Sequence, residues 1–290
     1  MQFMFFFYIQ KVSICYNKEA IRVYILIKSN YKKHVKLGVK MTLNKILKIS
    51  SHAGKMILEN GGETYRAEDA VTRISELHGA IADCFATLSG IIVSVTKDDI
   101  TISNVIRIKS RTINLEKVHQ INDLARDAEN YDCNEFMEKL KAIDKIPRYS
   151  IFLNFIFYCT TAASFALIFG GNAQDFVGTL PIGGAIYLLS YSFSKYELNG
   201  IFVNTLGGAL SAFMAHYLYL FHLIDNTDKA VIGSLMLLVP GLALTNGIRD
   251  IIAGDYMTGM ARGAEALLVA TSLAVGTGVA ISYLMTGGTF

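Results

Sequence analysis

The chain has no tryptophan, only three prolines, and almost no charge after residue 149. Its four cysteines, Cys15, Cys84, Cys133 and Cys159, form no CxxC pair and no Cys/His cluster, so isolated reduced thiols are expected and a zinc site is not. No P-loop, GxSxG, HExxH or Rossmann glycine pattern is present, which removes the common soluble-enzyme and cofactor signatures. No metal or cofactor is expected. A strongly basic nucleic-acid-binding face is missing too. The formal charge of +3 comes from residues 1–40, with eight Lys/Arg against one acid, whereas residues 150–290 carry four Lys/Arg and seven acids.

What fills the C-terminal half is apolar. Five uncharged runs stand out, Tyr149–Gln174, Phe176–Ser194, Leu198–Ile224, Ala230–Ile248 and Ala266–Phe290. Each has the ~20 residues that a helix needs to cross about 30 Å of hydrocarbon. Backbone polar groups cannot stay unpaired in lipid, so each run should be helical. The expected fold is a membrane protein, a five-helix transmembrane bundle over residues 150–290. Tyrosines such as Tyr149, Tyr217 and Tyr283 can serve as interfacial aromatics in the absence of tryptophan.

Residues 41–149 carry charge throughout and read as a small α+β cytosolic domain. Leu43, Ile46, Leu47, Ile49, Ala53, Met56, Ile57 and Leu58 predict a helix that stops at Gly61-Gly62. Thr64 reads as the N-cap of a second helix running to about His78. The segments Cys84–Thr96 and Ile100–Ile108 predict β structure with a turn at Lys97-Asp98-Asp99. Asn114 should cap a third helix to about Tyr131, and residues 134–145 a fourth. Residues 1–40 form a basic N-terminal extension: either translation begins at Met41, or a flexible basic arm touches anionic lipid.

Loop charges predict orientation. Lys139, Lys141, Lys145 and Arg148 precede the first span, Lys195 follows the second, and Arg249 and Arg262 follow the fourth. The loops near Gly170–Asp175 and Asp225–Lys229 are poor in basic residues. A multi-pass cell-membrane protein with its N-terminus cytoplasmic and its C-terminus outside is expected.

Chemistry concentrates in Leu235–Leu268, LMLLVPGLALTNGIRDIIAGDYMTGMARGAEALL. Pro240-Gly241 interrupts an apolar span, either as a packed kink or as the kind of break that lines a transporter site. Pro181 with Gly183-Gly184 offers a second break. Arg249, Asp250, Asp255, Arg262 and Glu265 follow. They are either a positive-inside loop with local ion pairs or a charged vestibule, in which Arg249 and Arg262, with Asn246, Pro240 and Gly241, bind substrate. Glu265, Asp250 or Asp255 would then carry a proton, Glu265 as the deepest. His216 reads as a polar helix-packing contact.

These residues carry a resemblance. VPGLALTNGIRDIIAGDYMTGMARGAEALL closely resembles the signature of the threonine/serine exporter family, and LENGGETYRAE at Leu58–Glu68, containing Glu63, Thr64, Tyr65 and Arg66, is similar to that family's cytosolic motif. DCFATLSGIIVSV and RTINLEKVHQINDLAR extend the likeness, which begins at about Met41. The resemblance implies proton-driven export of small amino acids such as threonine and serine; some related systems export small dicarboxylates such as succinate. It implies that the chain is the N-terminal half of the family's pattern, working in an oligomer with a small membrane protein resembling the second half. Two other readings remain open: a membrane-anchored enzyme using Glu63, Arg66, Glu68 and Asp69, or a regulatory membrane protein.

Overall fold

The computed structural model describes residues 42–147, 149–196 and 200–286. The basic extension and the start at Met41 lie outside them. The chain divides into two units, one containing the residues up to Gly62 and Arg66–Asp144, the other Glu63–Tyr65 and the residues from Lys145 onward.

In the first unit, α1 spans residues 42–59 and buries the predicted apolar stripe, with Leu43, Ile46, Ala53 and Ile57 wholly inaccessible. It ends where Gly61 turns to φ +86°, a left-handed conformation that costs glycine little. Gly62 N–H closes the cap by donating to the Ile57 carbonyl at 2.9 Å. The next helix, α2 (Thr64–Leu77), buries Ala67, Ala70, Val71 and Ile74 along one face. Thr64 is its first helical residue, one position later than a cap.

Three antiparallel strands follow in sequential order, β1 (Ile81–Ala86), β2 (Gly90–Lys97) and β3 (Ile100–Arg107). Ile91, Val93 and Val95 alternate inward on the central strand and are wholly buried. The single segment expected over Cys84–Thr96 is two strands. Thr87 breaks it: its N–H donates to the Gly90 carbonyl at 2.8 Å and its Oγ1 accepts from Gly90 N–H at 3.2 Å, closing a tight turn. Asp98 and Asp99 take φ of 50° and 60°, the paired positive values of a two-residue hairpin, as the predicted turn requires.

Helix α3 (Leu115–Arg126) starts at Asn114, whose Oδ1 accepts from Lys117 N–H at 3.1 Å. It stops short of Tyr131, and a single 3-10 turn, Ala128–Asn130, completes the stretch. In α4 (Cys133–Asp144), Phe136, Leu140 and Ile143 are buried. Its entry is held by Asp132 Oδ1, which accepts from the N–H groups of Asn134 at 2.6 Å and Glu135 at 2.8 Å. Those bonds favour the ionised form and lower the carboxyl's pKa.

The second unit is a helical bundle. Among the described residues, four of its helices are long and apolar enough to cross a membrane: α5 (Ile151–Ile168), α6 (Ala173–Lys195), α7 (Gly200–Leu220) and the 30-residue α10 (Tyr256–Met285). The protein is a multi-pass membrane protein. The fourth uncharged run is not one helix. It divides into α8 (Thr227–Leu235) and α9 (Gly241–Ile252), with Pro240 at the N-cap of the second piece. Met236–Val239 bridge the gap; Leu237 and Leu238 N–H donate to carbonyls three residues back instead of four. Pro181, by contrast, stays inside a continuous α6 and makes no break. Proline there forfeits one backbone bond, but packing holds the helix: a Cβ on Gly183 would fall 2.5 Å from the Tyr158 carbonyl oxygen of α5.

The same close approach joins α7 to α10, where a Cβ on Gly276 would lie 1.9 Å from the Thr205 carbonyl oxygen. Ile182, Ile186, Ala215, Ile224, Ala230 and Val231 form the bundle's packed centre. At one end, the buried Asp175 accepts 2.8 Å bonds from Asp225 N–H, Asn226 N–H and the Asn226 side chain, and forms a capping box with Asn172. One carboxylate thereby ties the start of α6 to the α7–α8 loop.

Candidate functional site

The charged residues after Pro240 meet where α9 turns into α10. The turn is tight because Gly254 adopts φ +95° and Asp255 N–H donates to the Asp250 carbonyl at 2.9 Å. Asp255 Oδ1 accepts from Thr258 N–H at 3.2 Å, so this acid caps α10. Glycines bring the two helices together. A Cβ on Gly259 would fall 2.7 Å from the Gly247 carbonyl oxygen and 2.4 Å from Ile251 Cγ1.

This approach places Arg262 against Asp250. Nε and Oδ2 lie 2.9 Å apart, with the aspartate wholly buried and the arginine 6% exposed. The second carboxylate oxygen, Oδ1, accepts from Thr64 Oγ1 at 3.0 Å. Arg249 Nη1 forms an ion pair with Glu63 Oε1. Glu63 and Thr64 belong to the helical unit by their contacts. Thus two consecutive residues, 63 and 64, meet two consecutive residues, 249 and 250, in register. Asn246, one turn before Asp250, is buried as well.

The remaining expected site residues have other places in the fold. Pro240 and Gly241 begin α9, and Asp250 lies nine residues further, about 14 Å along the axis. Tyr65 is partly exposed, and Arg66 belongs to the first unit. Glu265 projects from an exposed part of α10, whereas Asp250 is wholly buried. The expected depth of Glu265, about a turn into the fifth span, is a position along the membrane; burial among side chains is a different property, and it falls to Asp250. Sequence reasoning also missed the Thr64–Asp250 contact. Its only signal was that both residues fall inside the family-like motifs.

Along α8, between it and parts of α7 and α10, lies an open cavity of about 680 Å³, lined mainly by apolar side chains such as Val231, Leu235 and Ile281, with His216, Thr227 and Asp228 among its polar members. Among the described residues, no group of three or more His, Cys, Asp or Glu is placed to hold a metal ion.

Residues 48–284 match the sequence pattern of the family described as "Putative threonine/serine exporter". The chain belongs to the threonine/serine exporter family. The matched stretch starts in α1 and ends within α10, taking in both units. That overturns the expectation of an N-terminal half alone: the exporter pattern runs through nearly the whole chain. The chain is also similar to the "Probable succinate transporter subunit YjjP" of Klebsiella aerogenes, 25% identical over 233 residues, which cover 78% of this chain and 89% of that relative. No solved structure matches it. All the charged residues of the α9–α10 turn, and Glu63 and Thr64, fall within the exporter-family match.

Proposed function

We propose that the protein exports small hydroxy amino acids, threonine and serine, across the cell membrane, driven by a proton gradient. The observation that carries this reading is the buried Asp250–Arg262 pair at 2.9 Å, flanked by Arg249 and Asn246 inside the exporter-family match. A guanidinium offers a planar pair of donors to a substrate carboxylate. A buried acid that exchanges one partner for another couples cargo binding to proton binding. Of the three acids considered for proton transfer, Asp250 is best supported, since Asp255 caps a helix and Glu265 is exposed. The non-helical step at Pro240 supplies a break in a membrane segment, as substrate paths in transporters do.

A dicarboxylate such as succinate is the second reading. It is favoured by the name of the Klebsiella relative and by two nearby arginines, one for each carboxylate. That name also supports a multi-subunit assembly, with a second membrane protein as partner. The basic-residue pattern supports an N-terminus inside and a C-terminus outside.

Reconstitution into vesicles, with and without a co-purified partner, tests these readings. Serine and threonine should accumulate against their gradient when a pH difference is imposed and not when it is collapsed. Accumulation of succinate with neither amino acid would replace the first reading by the second. A cysteine at Ala173 should react with an impermeant thiol reagent from outside, and one at Ser194 should not; the reverse pattern would invert the orientation.

A further inference from the structure

Glu63 and Thr64 present a carboxylate and a β-hydroxyl, side by side, to the α9 end. The carboxylate pairs with Arg249 and the hydroxyl donates to Asp250. Both side chains are buried, Glu63 at 6% exposure and Thr64 at zero. A free threonine or serine carries the same two groups on adjacent carbons: an α-carboxylate and a β-hydroxyl. Thr64 has the side chain of the proposed cargo itself.

We propose that Glu63-Thr64 is a built-in substrate mimic, occupying the cargo site so that threonine or serine binds only by displacing it. The idea rests on the exporter reading above and narrows it. The cargo's carboxylate takes the place of Glu63 on Arg249. Its hydroxyl replaces Thr64 on Asp250 Oδ1, while Arg262 stays on Oδ2. In the empty carrier Arg249 and Asp250 Oδ1 thus each keep a partner, which avoids the penalty of leaving them unmatched until cargo arrives.

The mimic also carries specificity. Asp250 accepts a hydroxyl hydrogen in this arrangement. A dicarboxylate would bring a second anion against it and be repelled, and alanine would leave Oδ1 unmatched. The site is thereby tuned to hydroxy amino acids over succinate.

A mimic taxes apparent affinity by the fraction of carriers it leaves open, so removing it should tighten binding. The experiment measures binding of radiolabelled serine, threonine, alanine and succinate to the purified full chain and to Glu63→Gln and Thr64→Val, with thermal melts alongside. Thr64→Val should bind serine and threonine about tenfold more tightly, with no matching gain for succinate or alanine. Glu63→Gln should tighten binding of all the carboxylates. Binding by the variants where the original chain shows none would support the mimic equally. If the original chain binds cargo and both folded variants bind it no better, the mimic is refuted while the exporter reading stands. If both variants fail to fold, the contact is a structural staple and the proposal falls. If neither the original chain nor folded variants bind any of the compounds, both readings fall together.

Discussion

Arg262 reaches across the α9–α10 turn to Asp250, Nε to Oδ2 at 2.9 Å, and the fold buries both side chains. Removing one member of a buried ion pair leaves its partner uncompensated, at a cost of about 3–5 kcal/mol. Arg262→Ala should therefore lower the melting temperature. Asp250→Asn keeps the side-chain shape and an acceptor for Thr64 but leaves Arg262 uncompensated, so its melting temperature should fall as well. It should abolish pH-driven accumulation in vesicles while allowing exchange of cargo across the membrane. Glu265→Gln, run beside it, should retain most of the driven transport. The opposite result, with Glu265→Gln uncoupled and Asp250→Asn intact, would move the proton path to the exposed part of α10.

The approach of α9 to α10 makes a sharper structural prediction. Gly259→Val adds atoms where a Cβ would already lie 2.4 Å from Ile251 Cγ1 and 2.7 Å from the Gly247 carbonyl oxygen. Backbone must shift, and the Asp250–Arg262 pair shifts with it. Gly263→Ala, one turn on, meets nothing within 4 Å. The first variant should lose folded yield in detergent, as read by size-exclusion chromatography, and the second should match the original chain. Equal behaviour would mean that the two helices separate freely.

Much of this was legible in the sequence where the cause is local. The apolar spacing of α1, the Asp98-Asp99 turn and the Asn114 cap each depend on a few consecutive residues. What the sequence hid depends on neighbours in space. Pro181 and Pro240 both sit in apolar runs, yet α6 continues through the first because it is packed against α5, and the chain unwinds before the second. Thr64 and Asp250 are 186 positions apart, and no periodicity joins them. That protein contacts bury Asp250 and leave Glu265 exposed follows from the facing of each helix, which linear distance from a polar end does not report.

Asp175 sets a third test. Its carboxylate oxygens accept from the N–H groups of Asn172, Asp225 and Asn226 and from the Asn226 side chain. Asparagine would turn an amide NH2 toward donors at one of those oxygens. Asp175→Asn should destabilise the bundle by about 1–3 kcal/mol, seen as a lower detergent-phase melting temperature. An unchanged melt would show that the α7–α8 loop is held by other contacts.

Cys84 on β1 gives a pH test in the first unit. Burial, and secondarily the charge of Glu68, push its thiol up to about 12 from an ordinary value near 9.0. The thiolate is the reactive form, so three units of increase cut it about a thousandfold at pH 8. Site-resolved mass spectrometry after iodoacetamide treatment should find Cys84 largely unmodified at pH 8, with a rate still climbing past pH 10. A rate that levels off near pH 9 would contradict this.

The division of the fourth run at Pro240 bears on how the protein is made. At about 1.5 Å per residue, α8 and α9 are roughly 14 and 18 Å long, and neither can traverse about 30 Å of hydrocarbon by itself. Between them the chain leaves backbone groups that lipid cannot pair. During biosynthesis this stretch therefore depends on its neighbours: α8 needs α5 and α7 already in the bilayer, and α9 needs α10, which leaves the ribosome after it. The Asp250–Arg262 contact can therefore form only after α10 has begun to emerge.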